Sequence, residues 1–162
     1  MEFRGVLFAV RSMAVSRPFY ENVLGRKVAL DLGANLVFAG GPTLQEQFAE
    51  LAGFPEDKTV YGAHDTELYF ETDHLDQEVP QVKAAGAKIL HDVKEYPWGQ
   101  RVFRFFDPDG HIIELADSMK AVILRYLDQG LSEEEVARRC QHPVEFIHWC
   151  KEHPDEDAPQ DM

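Results

Sequence analysis

Two acidic residues, Glu114 and Glu67, have the type and the setting to do chemistry. Glu114 stands in Ile112-Ile113-Glu114-Leu115, an apolar run that follows a tight Asp107-Pro108-Asp109-Gly110 turn. Pro presets φ at one turn position and Gly supplies a positive φ at another, so residues 105–115 read as strand, turn, strand. A carboxylate inside an apolar strand is costly unless it meets a metal, a base or a ligand. Glu67 opens a second run, Glu67 to Thr72, that alternates like a half-buried strand. Alternation sends Leu68 and Phe70 beneath a helix and Glu67, Tyr69 and Glu71 to the opposite side. By the same rule Ile113 and Leu115 pack under the helix, while Ile112 and Glu114 face Glu67. Two carboxylates on neighbouring strands of one face repel unless a cation or a shared proton joins them. The alternative is that both are solvated on an open sheet face.

The elements that must carry these residues form a concealed duplication. Val6 to Val10 is a strand candidate, and Val15, Phe19, Tyr20, Val23 and Leu24 then recur at helical spacing up to Gly25. Lys27 to Leu30 and Asn35 to Ala39 follow as strands, then a Gly40-Gly41 turn and the run Thr43 to Phe48, read as a short strand through Gln45 or Glu46 that becomes helical near Glu50. About sixty residues on, the order returns: strand Glu67 to Thr72, helix His74 to Ala85, Gly86, strands Ala87 to Leu90, Arg101 to Phe106 and Ile112 to Leu115. Each half reads βαβββ. Two such units lay mixed sheets side by side and curl around a groove with helices outside, an α+β fold. The units span 1–52 and 66–118 of a domain 1–118, joined through a connection that runs from Gly53 to Asp65.

Composition bounds the partners. The chain has 162 residues, 44% of them hydrophobic, and a net charge of −13. That balance argues against nucleic acid and anionic membrane surfaces, which reward Lys and Arg. Glu152, Asp155, Glu156, Asp157 and Asp161 make 152–162 an acidic tail with no Lys or Arg, expected to be disordered. Cys140 and Cys150 form neither a disulfide framework nor a zinc motif, which fits a reducing cytoplasm. The run Gly5 to Val10 is too short for a membrane span.

The pattern resembles the vicinal oxygen chelate superfamily, which includes glyoxalase I, bleomycin-resistance proteins, extradiol dioxygenases and fosfomycin-resistance proteins. The likeness rests on Phe19-Tyr20-Glu21-Asn22-Val23-Leu24-Gly25, on Val82-Lys83-Ala84-Ala85-Gly86, on Phe106 through Leu115, and on Trp98-Gly99-Gln100-Arg101. The resemblance implies metal ligands on the first and last strands of each unit: Glu67, Glu114 and Gln45, with Glu46 if the register slips by one. The remaining position falls on Gly5, which has no ligand atom, where metal-using members place His or Gln. Superfamily members use Mn, Mg, Zn, Ni or Fe. Two carboxylates and an amide oxygen suit a hard ion such as Mg²⁺ or Mn²⁺, because zinc or nickel would want imidazole. With a metal, the resemblance implies lyase, isomerase or dioxygenase chemistry of the glyoxalase type on a small oxygenated molecule, with Glu114 as the catalytic base. Without one, Tyr69, Trp98, Arg101 and Phe103 become a slot for a flat or anionic ligand, as in sequestering resistance proteins. The superfamily also implies a homodimer.

The remaining features divide between packing and function. Trp98, between Pro97 and Gly99, sits in a loop as a ligand contact or a core plug. His111 reads as a hydrogen-bonded turn residue and Tyr20 as core; His64 and His74 fall outside the ligand register, and His91 sits in a loop. Beyond the resemblance, 119–151 forms a helical extension. Ala121 to Leu127 is helical to Gly130, Ser132 and Glu135 make a capping box, and Pro143 opens a third helix. Three such helices resemble a helix-turn-helix, so a ligand-sensing DNA-binding regulator is a further alternative. The extension's five basic and five acidic residues cancel, which argues against DNA and for a helical cap.

Overall fold

The computed structural model of the chain describes residues 1–158. Residues 159–162 of the expected acidic tail lie outside the described residues. Two four-stranded mixed sheets carry the duplication. The first contains β1 (Leu7–Ala9), β2 (Val28–Asp31), β3 (Asn35–Phe38) and β4 (Thr43–Gln45), in the order β1-β4-β3-β2. The second contains β5 (Glu67–Thr72), β6 (Lys88–Glu95), β7 (Arg101–Phe106) and β8 (Ile112–Asp117), in the order β5-β8-β7-β6. The second order repeats the first strand for strand. Helix α1 (Met13–Asn22) follows β1, and α3 (Leu75–Ala84) follows β5. A short helix, α2 (Phe48–Ala52), follows β4, and a single 3₁₀ turn, Glu56–Lys58, lies in the connection.

Two of the boundaries that differ from the sequence expectation bear on the candidate site. The first strand begins at Leu7, so Gly5 lies before it and exposed. Strand β6 runs on to Glu95 instead of stopping at Leu90. Its second half, His91 to Glu95, is mostly charged or polar and exposed, which hides it from a search for apolar runs. That composition suits an edge strand, and β6 is at the edge of its sheet.

The chain divides into two compact units. The first comprises Met1–Leu68, Gln81–Ile89 and Phe105–Ile113. It therefore holds the whole first repeat together with the Asp-Pro-Asp-Gly turn of the second. In its sheet, β1 runs parallel to β4 with Ala9 opposite Gln45, and β3 is antiparallel to β4 with Asn35 opposite Gln45. Val10, Tyr20, Leu36, Phe38, Leu44, Phe105 and Ile113 are fully buried. The Tyr20 ring stacks on Phe38 at 5.5 Å between centroids.

Two buried carboxylates of the turn fasten this unit. Asp107 Oδ1 accepts from the backbone N–H groups of Asp109 and His111, both at 2.9 Å. Its Oδ2 accepts from Tyr20 OH at 2.9 Å and from His111 Nδ1 at 2.7 Å. Asp109 accepts from the Arg11 backbone N–H and from Ser16 Oγ, each at 2.9 Å, and pairs with the Arg11 guanidinium at 3.2 Å. Gly110, at φ +93°, lets the turn close under these bonds. His111 is thus a hydrogen-bonded turn residue and Tyr20 a core residue.

The second unit comprises Tyr69–Pro80, Leu90–Arg104 and the chain from Glu114 onward. It includes the helical extension: α4 (Met119–Asp128), α5 (Glu133–Cys140) and α6 (Val144–Glu152). Ser118 caps α4, and Ser132 with Glu135 forms the expected capping box on α5. Val122, Ile123, Tyr126, Val136, Ala137, Cys140, Phe146, Ile147 and Cys150 make a core of their own. Burial pushes the Cys150 thiol up to about 11, so it packs as an apolar group. No helix among the described residues is long and apolar enough to cross a membrane.

Burial alone would raise the Asp107 pKa, but bonds from the His111 side chain, the His111 N–H and Tyr20 outweigh it and hold the carboxyl below its ordinary value. A depressed native pKa contributes stability that is full above the unfolded value, about 3.9, and vanishes as pH falls through the native one. Asp107→Ala should therefore cost about 3 kcal/mol at neutral pH. Urea midpoints measured from pH 7 downward should show the gap between wild type and variant narrowing only below the ordinary carboxylate range. A gap that stays constant into strong acid would disprove the assignment.

Candidate functional site

The site is built on β7 and β8 of the second sheet and on the loop before β7. In the hairpin the backbone N–H of Asp107 donates to His111 O at 3.0 Å, which sets those residues opposite each other. Counting outward from that pair sets Arg104 opposite Glu114 and Arg101 opposite Asp117. Both are ion pairs. Arg104 Nη2 donates to Glu114 Oε2. Arg101 Nε and Nη2 donate to Asp117 at 2.7 and 3.0 Å. The two arginines are three positions apart along the strand, so the pairs stand on opposite faces of the sheet.

On the Arg104 face, Glu114 is 6% exposed, and Arg104 is partly exposed. Arg104 Nη1 donates to Tyr96 OH at 2.8 Å and lies 3.3 Å from His91 Nε2. His91 Nδ1 is 2.8 Å from the Asp92 carbonyl. A donating Nδ1–H there leaves Nε2 as the acceptor for Arg104. The Tyr96 ring stacks on Trp98 at 4.9 Å and 25°. Trp98 Nε1 donates to Gln100 Oε1 at 3.0 Å, and Gln100 Nε2 donates to Tyr69 OH at 2.8 Å and to Asp117 O at 2.9 Å. Tyr69 OH in turn donates to Glu71 at 2.5 Å. Partial burial and that carboxylate push the Tyr69 pKa up to about 12, against the opposing bond from Gln100. Tyr69 stays a neutral donor at physiological pH. One hydrogen-bonded and stacked chain thus links Glu71, Tyr69, Gln100, Trp98, Tyr96, Arg104 and Glu114.

The profile of the glyoxalase-like domain family matches residues 3–120. The chain belongs to this family. Its solved relatives include a protein of unknown function from Agrobacterium tumefaciens, 34% identical, with a TM-score of 0.67 over 73% of this chain and 94% of that one. A glyoxalase/bleomycin resistance protein/dioxygenase family enzyme from Burkholderia phytofirmans is 19% identical, with a TM-score of 0.61 over 70% and 95% of the two chains. One from Nocardioides, also 19% identical, has a TM-score of 0.57 over 70% and 80%. At that identity the last two share the fold alone. No curated protein matches this chain.

As a glyoxalase-like protein the chain distributes its expected site residues unevenly. Tyr69 and Trp98 meet through Gln100, and Glu114 lies at the end of the same chain of contacts. Arg101 stands on the opposite face, where it bridges Asp117 and Asp76 of α3 at 2.9 Å. Its pKa is raised, first by the Asp117 hydrogen bond. Phe103 shares that parity and is 0% exposed, so it packs in the core instead of offering a ring face. Arg104 and Tyr96, not Arg101 and Phe103, lie in the chain of contacts that ends at Glu114. Gln45 is buried at the end of β4; its Oε1 accepts from Asn35 Nδ2 at 2.8 Å, and its Nε2 donates to Glu46 O. Glu67 is exposed on β5, the strand next to β8. Glu46 accepts from the Met13 backbone N–H at 3.0 Å.

The donors present do not fit a divalent ion. The carboxylate best placed for it, Glu114, already has a guanidinium against its oxygen, and a second cation there would be repelled. The Gln45 oxygen is engaged by Asn35, and Gly5 offers no ligand. Among the described residues no cluster of three or more His, Cys, Asp or Glu is arranged to hold a metal.

Removing Arg104 alone leaves a buried carboxylate without its partner, so Arg104→Ala should cost about 3 kcal/mol. Replacing both partners by Leu should cost clearly less. Urea unfolding of the two single variants and the double variant gives the coupling; additive losses would show that the pair does not interact.

Proposed function

We propose that this glyoxalase-like protein binds a small, flat, oxygen-bearing molecule at Arg104 and Glu114 and holds it by hydrogen bonds and ring stacking, not by chelation. The observation that carries this reading is the Arg104–Glu114 pair. A guanidinium occupies the place where metal chelation would need an unpartnered carboxylate. The pair presents N–H donors beside a carboxylate acceptor, which suits a ligand that carries an acceptor and a donor on adjacent atoms. The stacked Tyr96 and Trp98, with the half-exposed Tyr69, give a ring the faces it would lie against. The function is sequestration or delivery of that molecule. In this reading the protein acts as a homodimer with small molecules, not nucleic acid, as its partners.

A suitable probe is 2-hydroxybenzoate, whose carboxylate can accept from Arg104 while its hydroxyl donates to Glu114. With Trp149→Phe, Trp98 is the sole tryptophan and reports binding by its emission. The probe should give a saturable change, Arg104→Ala should weaken it about tenfold, and millimolar Mn²⁺ should leave the affinity unchanged. Binding that requires added metal, or that survives Arg104→Ala intact, would overturn the proposal.

A further inference from the structure

The loop that carries Tyr96, Trp98 and Gln100 is a tight turn. The Tyr96 N–H donates to Gln100 O at 2.9 Å, and the Gly99 N–H donates back to Tyr96 O at 2.8 Å. Outside those bonds it leans on α4. Arg125 Nη2 donates to the Gly99 carbonyl, and Arg125 Nη1 donates to Asp117 Oδ2 at 2.9 Å. Tyr126 OH lies 3.4 Å from Glu95 Oε1, just before the loop. The Tyr126 ring presses so closely on Gly99 that a Cβ there would lie 2.3 Å from its hydroxyl oxygen. With φ at +92°, Gly99 is the one residue type that fits both the turn and the neighbour. Arg125 and Tyr126 lie beyond residue 120, where the family profile ends. Tyr126 is also part of the core shared by α4, α5 and α6.

We infer that the C-terminal helices position the ligand loop. Arg125 and Tyr126 are positioning residues that hold residues 96–100, and through them the Tyr96–Trp98 stack and the Gln100–Tyr69 bond, in the arrangement used by the Arg104–Glu114 site. The physical basis is a charge-assisted hydrogen bond to a loop carbonyl from an arginine that is itself fixed by buried Asp117. An aromatic ring on the same helix fills the space that any side chain at position 99 would need. The extension is a structural part of the site, and its own packed core supplies the rigidity. The link to ligand binding rests on the function proposed above.

Amide hydrogen exchange by NMR on the full chain tests this directly. In Arg125→Ala the Tyr96 and Gly99 amides should exchange about tenfold faster, while amides in the middle of β7 stay as in wild type. Arg125→Lys keeps a charge beside Asp117 but cannot span both acceptors, so it should show the same local effect in a folded protein, even if the alanine variant unfolds. Unchanged exchange at both amides in the lysine variant, or acceleration spread equally over the whole sheet, would overturn positioning. Both variants should also weaken 2-hydroxybenzoate about threefold with the Arg104 side untouched. Loop loosening without loss of affinity would refute the link to the site. If the probe fails to bind even wild type, the binding proposal fails alone, and exchange at Tyr96 and Gly99 still decides the positioning claim.

Discussion

Two carboxylates in a four-residue turn set the terms for the first unit. Asp107 and Asp109 are almost wholly buried, and a buried carboxylate is tolerable only when its lone pairs are filled. The turn's own N–H groups fill some of them. The His111 ring fills another, and Tyr20, Ser16 and Arg11, all from α1 or its entry, fill the rest. The chain can satisfy these oxygens only by seating α1 of the first repeat against the hairpin of the second. The duplicated halves are therefore not the compact units. The turn belongs in space with the repeat it does not belong to in sequence.

The hairpin below that turn then distributes charge with a fixed period. Because the turn fixes which residues of β7 and β8 oppose each other, two arginine–carboxylate pairs follow at a spacing of three, one on each face. Arg101 with Asp117 faces α3 and is extended by Arg125 toward the C-terminal helices. Arg104 with Glu114 faces the aromatic loop. One register decision thus yields both the anchor of the extension and the polar centre of the proposed site.

Much of the fold was legible because it follows from local chemistry. The repeated βαβββ order, the helix-ending glycines, the Ser132–Glu135 box and the turn could all be read from residue type and spacing. Alternation also placed Leu68 inside and Tyr69 outside correctly. The candidate site was legible in part. Residue type picked out Tyr69, Trp98 and Glu114, which one chain of contacts links, and it picked Arg101 where the structure sets Arg104 in that chain, since the two arginines look alike in sequence and differ only in parity. The signal was present: counting back from the turn selects the arginine opposite Glu114. Tyr96 was missed because β6 continues through exposed charges that obscure where the strand ends. The contribution of α4 was out of reach, since nothing local in Arg125 or Gly99 reveals that distant segments meet.

The charge on a site decides what it can hold more firmly than the fold does. A carboxylate on the last strand of a glyoxalase-like repeat can have its negative charge balanced by a metal ion or by a basic side chain, but not fully by both at once. A metal gathers oxygens around a point and polarises them. A guanidinium is planar, spreads its charge and rewards ligands that lie in its plane or stack on neighbouring rings. The contacts around Arg104 are of the second kind: it pairs with Glu114, it donates to Tyr96, which stacks on Trp98, and the tautomer of His91 that bonds the Asp92 carbonyl turns an acceptor toward it. In the function proposed above, such a site selects by shape and hydrogen-bond direction, and it depends on the loop that carries the rings being held still. That requirement gives the appended helices a physical reason to be attached to this fold.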